Sequence, residues 1–292
     1  MSGQLALLVT GAAGQLGSDV VEQARAAGHR VTAAASGELD IADVDAVDAA
    51  VGALTRTAGA VVLNCAAHTA VDAAESEPEL AAAVNTQGPA HLAAACARRG
   101  VRLVHVSTDY VFAGDATAPY EPSDATGPRS VYGRTKLDGE YAVRTTLPSA
   151  HVVRTAWVYG GHGTNFVSTM RRLERERDTV RVVNDQQGSP TWSADLAAGL
   201  LELAGRADLP GGVLHATNSG ATTWFGLAQA VFAEAGADPA RVQPCATDEF
   251  PRPAPRPAYS VLSNAAWTTA GLTALRPWGA ALHEAMQLDG FR

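Results

Sequence analysis

Cysteine is scarce in this chain. Cys65, Cys96 and Cys245 are odd in number, far apart and free of any CxxC pair. A disulfide framework and a cysteine-based zinc site are thereby excluded, and thiols kept reduced in the cytosol fit best. Long apolar runs are missing too: none reaches the roughly 20 residues that a membrane helix needs. The N-terminus has no basic segment, and its apolar LALLV stops at once in a glycine turn, so no secretory leader is expected. Positive charge is in deficit, with 22 Lys and Arg against 30 Asp and Glu and a net charge of −8. That balance argues against a nucleic-acid partner, which would need basic patches. The most Arg-rich stretch, Met170 to Arg177, alternates in sign and reads as a solvated helix face. Repeats and a clean linker are also absent. These absences leave a cytoplasmic globular protein with no membrane and no nucleic-acid partner.

What is present is an alternation of short β-rich runs with Ala-rich helical runs. LALLVTG, HRVTAAA, AVVLNCA, VRLVHVS and HVVRTAWVYG read as strands. Helices are expected between them, from about Gly14 to Ala27, Val44 to Thr57, Glu79 to Arg99 and Val131 to Thr145, with Gly100 as a C-cap glycine. Near-continuous apolar strands separated by helices predict a doubly wound, Rossmann-like parallel sheet covered on both faces. After Trp157 the rhythm loosens. Helices are expected at Asn165–Glu176, Ser193–Gly205 and Thr223–Ala235, short strands at VRVVN and GGVLHA, and an extended surface loop at DEFPRPAPRPAYS. The expected α/β organisation is a nucleotide-binding domain over 1–160 and a smaller, mostly C-terminal substrate lobe over 161–292, with an interleaved boundary.

Three local patterns carry chemistry. Gly11, Gly14 and Gly17 follow the first strand and open the first helix. Glycines there let backbone approach a pyrophosphate, whose charge faces the helix N-terminus. The second strand ends in Ala33-Ala34-Ala35-Ser36, without the acid that grips an NAD ribose, which favours NADP(H) and leaves NADH open. Next, the strand VHVSTDYVF ends in the hydrogen-bonding side chains of Ser107, Thr108, Asp109 and Tyr110. In an open parallel sheet ligands bind beyond the carboxyl ends of strands, so such a tip can stabilise an oxygen that gains charge. Its plain structural alternative is a Ser/Thr or Asx turn. Finally, Tyr132 and Lys136 lie four apart on an expected helix and share a face. A nearby ammonium would lower the phenol toward working pH and make it a proton donor.

VSTDYVF, SVYGRTKLDGE, VVRTAWVYG and VVNDQQGSPTW, in that order, resemble the dTDP-4-dehydrorhamnose reductase family of the extended short-chain dehydrogenase/reductase superfamily. The resemblance runs over nearly the whole chain. It implies hydride transfer from NADPH, or NADH, to C4 of dTDP-6-deoxy-L-lyxo-4-hexulose, giving dTDP-L-rhamnose. Carried over residue by residue, it implies Thr108, Tyr132 and Lys136 as catalytic residues. Dinucleotide contacts would come from the glycine turn with Gln15 and Leu16, from Asp40 and Ile41, from Ala67, His68 and Thr69, and from Tyr132 and Lys136. Sugar-nucleotide contacts would come from Thr108, Asp109, Tyr110, Arg154, Trp157 and Gln187.

The resemblance also includes relatives that dimerise around Mg²⁺ held by glutamates. The corresponding positions here fall near Asp19 and Ala194, and alanine cannot ligate, so no metal is expected; a homodimer is left open. Two alternatives accompany this reading: a reductase of another dTDP-4-keto-6-deoxy sugar, of the dihydrostreptose type, and a non-catalytic NADP-binding regulatory subunit. A dehydratase is disfavoured, because Asp109 is followed by Tyr110 and not by a second acid.

Overall fold

The computed structural model describes residues 4–54 and 59–288. The end of the expected 44–57 helix and the C-terminal residues 289–292 lie outside them. Five strands follow the expected order: β1 (Ala6–Thr10), β2 (Arg30–Ala34), β3 (Ala60–Asn64), β4 (Arg102–Thr108) and β5 (His151–Thr155). Four short strands come next, β6 (Val158–Tyr159), β7 (Val180–Val183), β8 (Gln187–Gly188) and β9 (Thr191–Trp192). The last three are β10 (Gly212–His215), β11 (Thr222–Thr223) and β12 (Val242–Cys245). One parallel sheet of six strands has the order β10-β5-β4-β3-β1-β2. β1 and β3 are buried along their whole length, as their unbroken apolar sequences require.

The helices are α1 (Gln15–Ala26), α2 (Val44–Ala53), α3 (Val71–Ala74), α4 (Pro78–Ala82), α5 (Gly88–Arg99) and α6 (Val131–Thr146). They continue with α7 (Phe166–Glu176), α8 (Ser193–Gly205), α9 (Trp224–Glu234), α10 (Ala265–Thr269) and α11 (Trp278–Ala285). Asp43 caps α2 by accepting from the backbone of Asp45 and Ala46. Gly100 ends α5 in the left-handed region, and the Val101 N–H then reaches back to the Cys96 carbonyl. The single helix expected over 79–99 is instead α4 and α5 joined by a π turn, Ala83–Gln87.

Two apolar layers sandwich the sheet. On one face Val20 and Ala24 of α1 and Leu196, Leu200 and Leu203 of α8 pack on Leu7, Val9 and Val104, with Trp267 beside them. On the other, Val47 and Val51 of α2, Leu92 and Cys96 of α5 and Val143 of α6 cover Leu8, Val62 and Val152. β10 and α8 lie beyond residue 160, yet they complete the sheet and one of its layers.

The remaining lobe has its own core, with Val167 and Met170 of α7, Leu227, Val231 and Phe232 of α9 and Leu282 of α11 over the paired strands β7 and β12. The charged face of α7 is solvated as expected, with Arg172 and Glu176 paired in the open. The Pro- and Arg-rich segment is more anchored than an extended surface loop. Ala254 is buried, its N–H donates to Asp72 Oδ1 over 3.2 Å, and Arg256 donates to Asp72 Oδ2 over 2.9 Å. Among the described residues no helix is long and apolar enough to cross a membrane.

Candidate active site

A cleft of about 740 Å³ opens at the carboxyl ends of β1, β3, β4 and β5, where the strand order reverses between β1 and β3. Buried polar groups join the ends of β1, β3 and β4. Thr10 Oγ1 donates to Asn64 Oδ1 (2.7 Å), and Asn64 Nδ2 donates to His105 Nδ1 (2.9 Å). Burial and the nearby Lys136 hold the His105 imidazole well below its usual titration range, so it stays neutral and can accept.

The glycine turn forms the dinucleotide end. Gly11 has φ +66°, and a Cβ there would come within 2.7 Å of the Ala66 backbone. A Cβ at Gly17 would lie 2.1 Å from the Gly11 carbonyl oxygen. The first position needs a left-handed turn and the second the close approach of helix to turn. Gly14 caps α1 without a side chain, and no acid occupies the first turn. The free N–H groups and positive dipole end of α1 are therefore left for an anion. Gln15 Oε1, buried and without a hydrogen-bond partner beside this turn, is an acceptor and so suits a donor such as a ribose hydroxyl and not a phosphate. These residues fit a dinucleotide.

At the tip of β4 the pleat separates neighbouring hydroxyls. Ser107, Thr108 and Asp109 all line the cleft, but the Ser107 hydroxyl is engaged in donating to Glu140 Oε1 (2.5 Å). Thr108 Oγ1 donates to Asp109 Oδ1 (2.9 Å) and accepts from the Tyr110 N–H (3.2 Å). The tip is thus both the Ser/Thr turn and the cleft wall that the sequence suggested. Asp109 is 3% exposed; burial pushes its carboxyl up to about 6, while Ser260 and Thr108 hold it down.

α6 carries Tyr132 and Lys136 to the same cleft. Its start is fixed twice: Ser130 Oγ accepts from the Gly133 N–H (3.1 Å), and Glu75 accepts from the Val131 N–H (2.7 Å). Gly133 lies against Tyr110, where a Cβ would be 2.3 Å from the carbonyl oxygen. The Tyr110 and Tyr132 rings meet edge to face at 5.4 Å. The expected lowering of the phenol by Lys136 is not found. Burial pushes Tyr132 up to about 12; the neighbouring Thr108 hydroxyl pulls it down and the Asp109 carboxylate pushes it up. The ammonium of Lys136 donates to the Val106 carbonyl (2.7 Å), and its electrostatic partners are Glu140 and Cys65. Burial brings Lys136 down to about 8, so it remains a cation at neutral pH.

Most of the expected site residues meet here. The three turn glycines with Gln15 and Leu16, then Asp40, Ile41, Ala67 and Thr69, line one part of the cleft; Thr108, Asp109, Tyr110, Tyr132, Lys136 and Trp157 line the rest. Three expected residues are elsewhere. Arg154 is 3% exposed and forked onto Glu140, with Nε at 2.9 Å and Nη2 at 2.7 Å. Its register opposite Ser107 turns it to the α6 face of the sheet, where its guanidinium lies 4.9 Å from the Phe112 ring centre. The Gln187 side chain is exposed; its backbone braces the 248–260 segment by bonding Ala258 and Ser260 at 2.8 Å each. The ring of His68 turns to Glu77, 3.8 Å away, while its backbone is held by Asn85.

Sequence reasoning missed Asn85, Ser260 and Trp224. Asn85, in the π turn, bonds both backbone groups of His68 and the Thr135 hydroxyl, tying the 67–69 segment to α6. A polar residue within an apolar helical run was its one sequence signal. Ser260, distant in sequence, lies near enough to Asp109 to lower its carboxyl without making a formed hydrogen bond. Trp224 joins the cleft wall from α9. Asp19, beside the position of the missing glutamate, accepts from Ser193, and Asp195 is held by Arg276 (2.8 Å) and Asn218 (2.7 Å).

Comparison with known proteins is consistent along the whole chain. The family model for the RmlD substrate binding domain matches residues 5–289. A dTDP-4-dehydrorhamnose reductase of Mycobacterium tuberculosis is 54% identical over 285 residues, 96% of this chain and 92% of that protein. The crystal structure of a dTDP-4-dehydrorhamnose reductase from Clostridium acetobutylicum superposes with a TM-score of 0.91 at 41% identity, covering 97% of this chain and 99% of that one. A Bacillus anthracis dTDP-4-dehydrorhamnose reductase in complex with NADP superposes with a TM-score of 0.92 at 35% identity, covering 98% and 99%.

Proposed function

Because the chain belongs to the RmlD substrate binding domain family, we propose that it is a dTDP-4-dehydrorhamnose reductase. It is an NAD(P)H-dependent oxidoreductase that reduces the C4 ketone of dTDP-6-deoxy-L-lyxo-4-hexulose to dTDP-L-rhamnose. NADPH is the expected reductant, NADH being accepted. The observation that carries the reading is the meeting of Thr108, Tyr132 and Lys136 in one cleft with the glycine turn.

The reduced nicotinamide supplies the hydride, and the protein supplies the rest. The start of α1 receives the pyrophosphate, and Lys136 holds the nicotinamide ribose. Tyr132 gives its proton to the C4 oxygen as that oxygen gains charge. A phenol near 12 keeps its proton until that moment, which suits a donor to a nascent alkoxide. Thr108 steadies the same oxygen by hydrogen bonding, and its one hydroxyl proton is shared with Asp109. Asp109, Tyr110 and Trp157 form the sugar end.

The test is the loss of NADPH absorbance on adding dTDP-4-keto-6-deoxy sugars, with product stereochemistry read by NMR. Turnover to the L-rhamno product is expected. Preferred turnover to another epimer would assign a sister sugar, and no oxidation with any of them would leave a regulatory, nucleotide-binding role.

A further inference from the structure

Trp157 is the one non-glycine residue with positive φ, +48°, among the described residues. A bulky residue in that region is strained by roughly 1–2 kcal/mol and stays there only when its surroundings hold it. They do so from the C-terminal lobe. Trp224, the first residue of α9, stacks on Trp157 with ring centres 3.5 Å apart and planes 5° from parallel. Phe166 backs Trp224 at 4.6 Å. Gly188 lies under the other ring, where a Cβ would come within 2.4 Å of Trp157 Cε2. Pairing of β8 with β11 sets Gly188 opposite Thr222, two residues before Trp224. Thr223 then fixes the start of α9, accepting from the Gly226 N–H and donating to Asn184. Both indoles face the cleft.

From this geometry we infer that Trp224 is a specificity-determining residue: it holds Trp157 in its left-handed turn, and the two indoles form one apolar wall for the C–H face and C6 methyl of a 6-deoxy sugar. The inference rests on the reductase reading and adds to it the group that recognises the sugar. A wall without charge or hydrogen-bonding hydroxyls favours a sugar edge that has lost its 6-hydroxyl. A hydroxylated C6 would lose water there and find at most an indole N–H in exchange. The indole faces are taken up by each other, by Phe166 and by Gly188, so the pair meets the sugar along its edges, whose fixed outline discriminates by shape.

The experiment compares wild type with Trp224→Ala, Trp224→Leu and Trp224→Phe. Calorimetry gives Kd for dTDP-L-rhamnose, dTDP and NADPH, and steady-state kinetics give kcat and KM. In Trp224→Ala, KM and the Kd of dTDP-L-rhamnose are expected to rise roughly tenfold, the size of a lost aromatic contact. Affinities for dTDP and NADPH should hold within about twofold, and kcat should fall less than KM rises. Trp224→Phe restores most of the loss. Trp224→Leu, which fills space without an aromatic ring, does not, and this pair decides the matter if the alanine variant fails to fold. Unchanged sugar-nucleotide affinity in a folded Ala or Leu variant overturns the inference, as does an equal loss for dTDP alone, which would assign the wall to the base. Absence of turnover by wild type would instead sink the reductase reading, while the binding comparison stays readable.

Discussion

Burial raises both the Tyr132 phenol and the Asp109 carboxyl in this cleft. Tyr132 is pushed up to about 12 by burial, so it holds a proton across the working range and has one to give. Tyr132→Phe removes that proton and nothing from the glycine turn. Turnover is expected to fall at least about a hundredfold, the lower range for general-acid catalysis, while NADPH affinity in a fluorescence titration stays unchanged. Near-normal turnover would disprove the assigned donor. Asp109 is different, because its folded value of about 6 lies above the 3.8 of an ordinary aspartate. The unfolded chain gives up this proton first, so the ionised acid weakens the fold. That cost is complete above about pH 6 and gone below about pH 4. Asp109→Asn should therefore stabilise the protein by roughly 1–3 kcal/mol at pH 7.5 and by much less at pH 4.5, while slowing the reaction. Urea midpoints at the two pH values check it; an equal gain at both would mean that ionisation is not the cause.

Elements, more than residues, explain what could be read in advance. The glycine turn, the hydroxyl tip of β4 and the Tyr132–Lys136 spacing are local patterns, each on one turn or one helix face, and the fold keeps them where their spacing says. Arg154 shows the limit. Its place on β5 was legible, but its direction depends on register: opposite Ser107, it faces α6 and Glu140 instead of the cleft. The two side chains are 4% and 1% exposed, so the pair joins β5 to α6 in a nearly dry place. Arg154→Met leaves Glu140 buried without its partner and should cost roughly 3–5 kcal/mol, measurable as a lower denaturation midpoint. A loss below about 1 kcal/mol, the size of a surface pair, would contradict that burial. Trp224, Ser260 and Asn85 were illegible for a related reason: their positions come from packing between distant segments, which no spacing along the chain records.

At the scale of the whole molecule, the two lobes share one architecture. A split at residue 160 follows the change of rhythm in the sequence, but the sheet crosses it. α8 supplies Leu196, Leu200 and Leu203 to the layer over β1 and β4, and β10 closes the edge at β5. A fragment of residues 1–160 is therefore expected not to fold: its amide spectrum should be poorly dispersed and its thermal transition not cooperative. A fragment with a sharp transition would show the first lobe to be independent. The late arrival of β10 also matters while the chain is being made. Five strands leave the ribosome by Thr155, but their missing neighbour starts only at Gly212. At translation speeds of roughly 5–20 residues per second, β5 spends several seconds as an open rim with unpaired amides, able to template a neighbouring chain. Slowing synthesis between these two strands should lower the yield of native protein more than slowing it after β10, and a holdase present during translation should restore it.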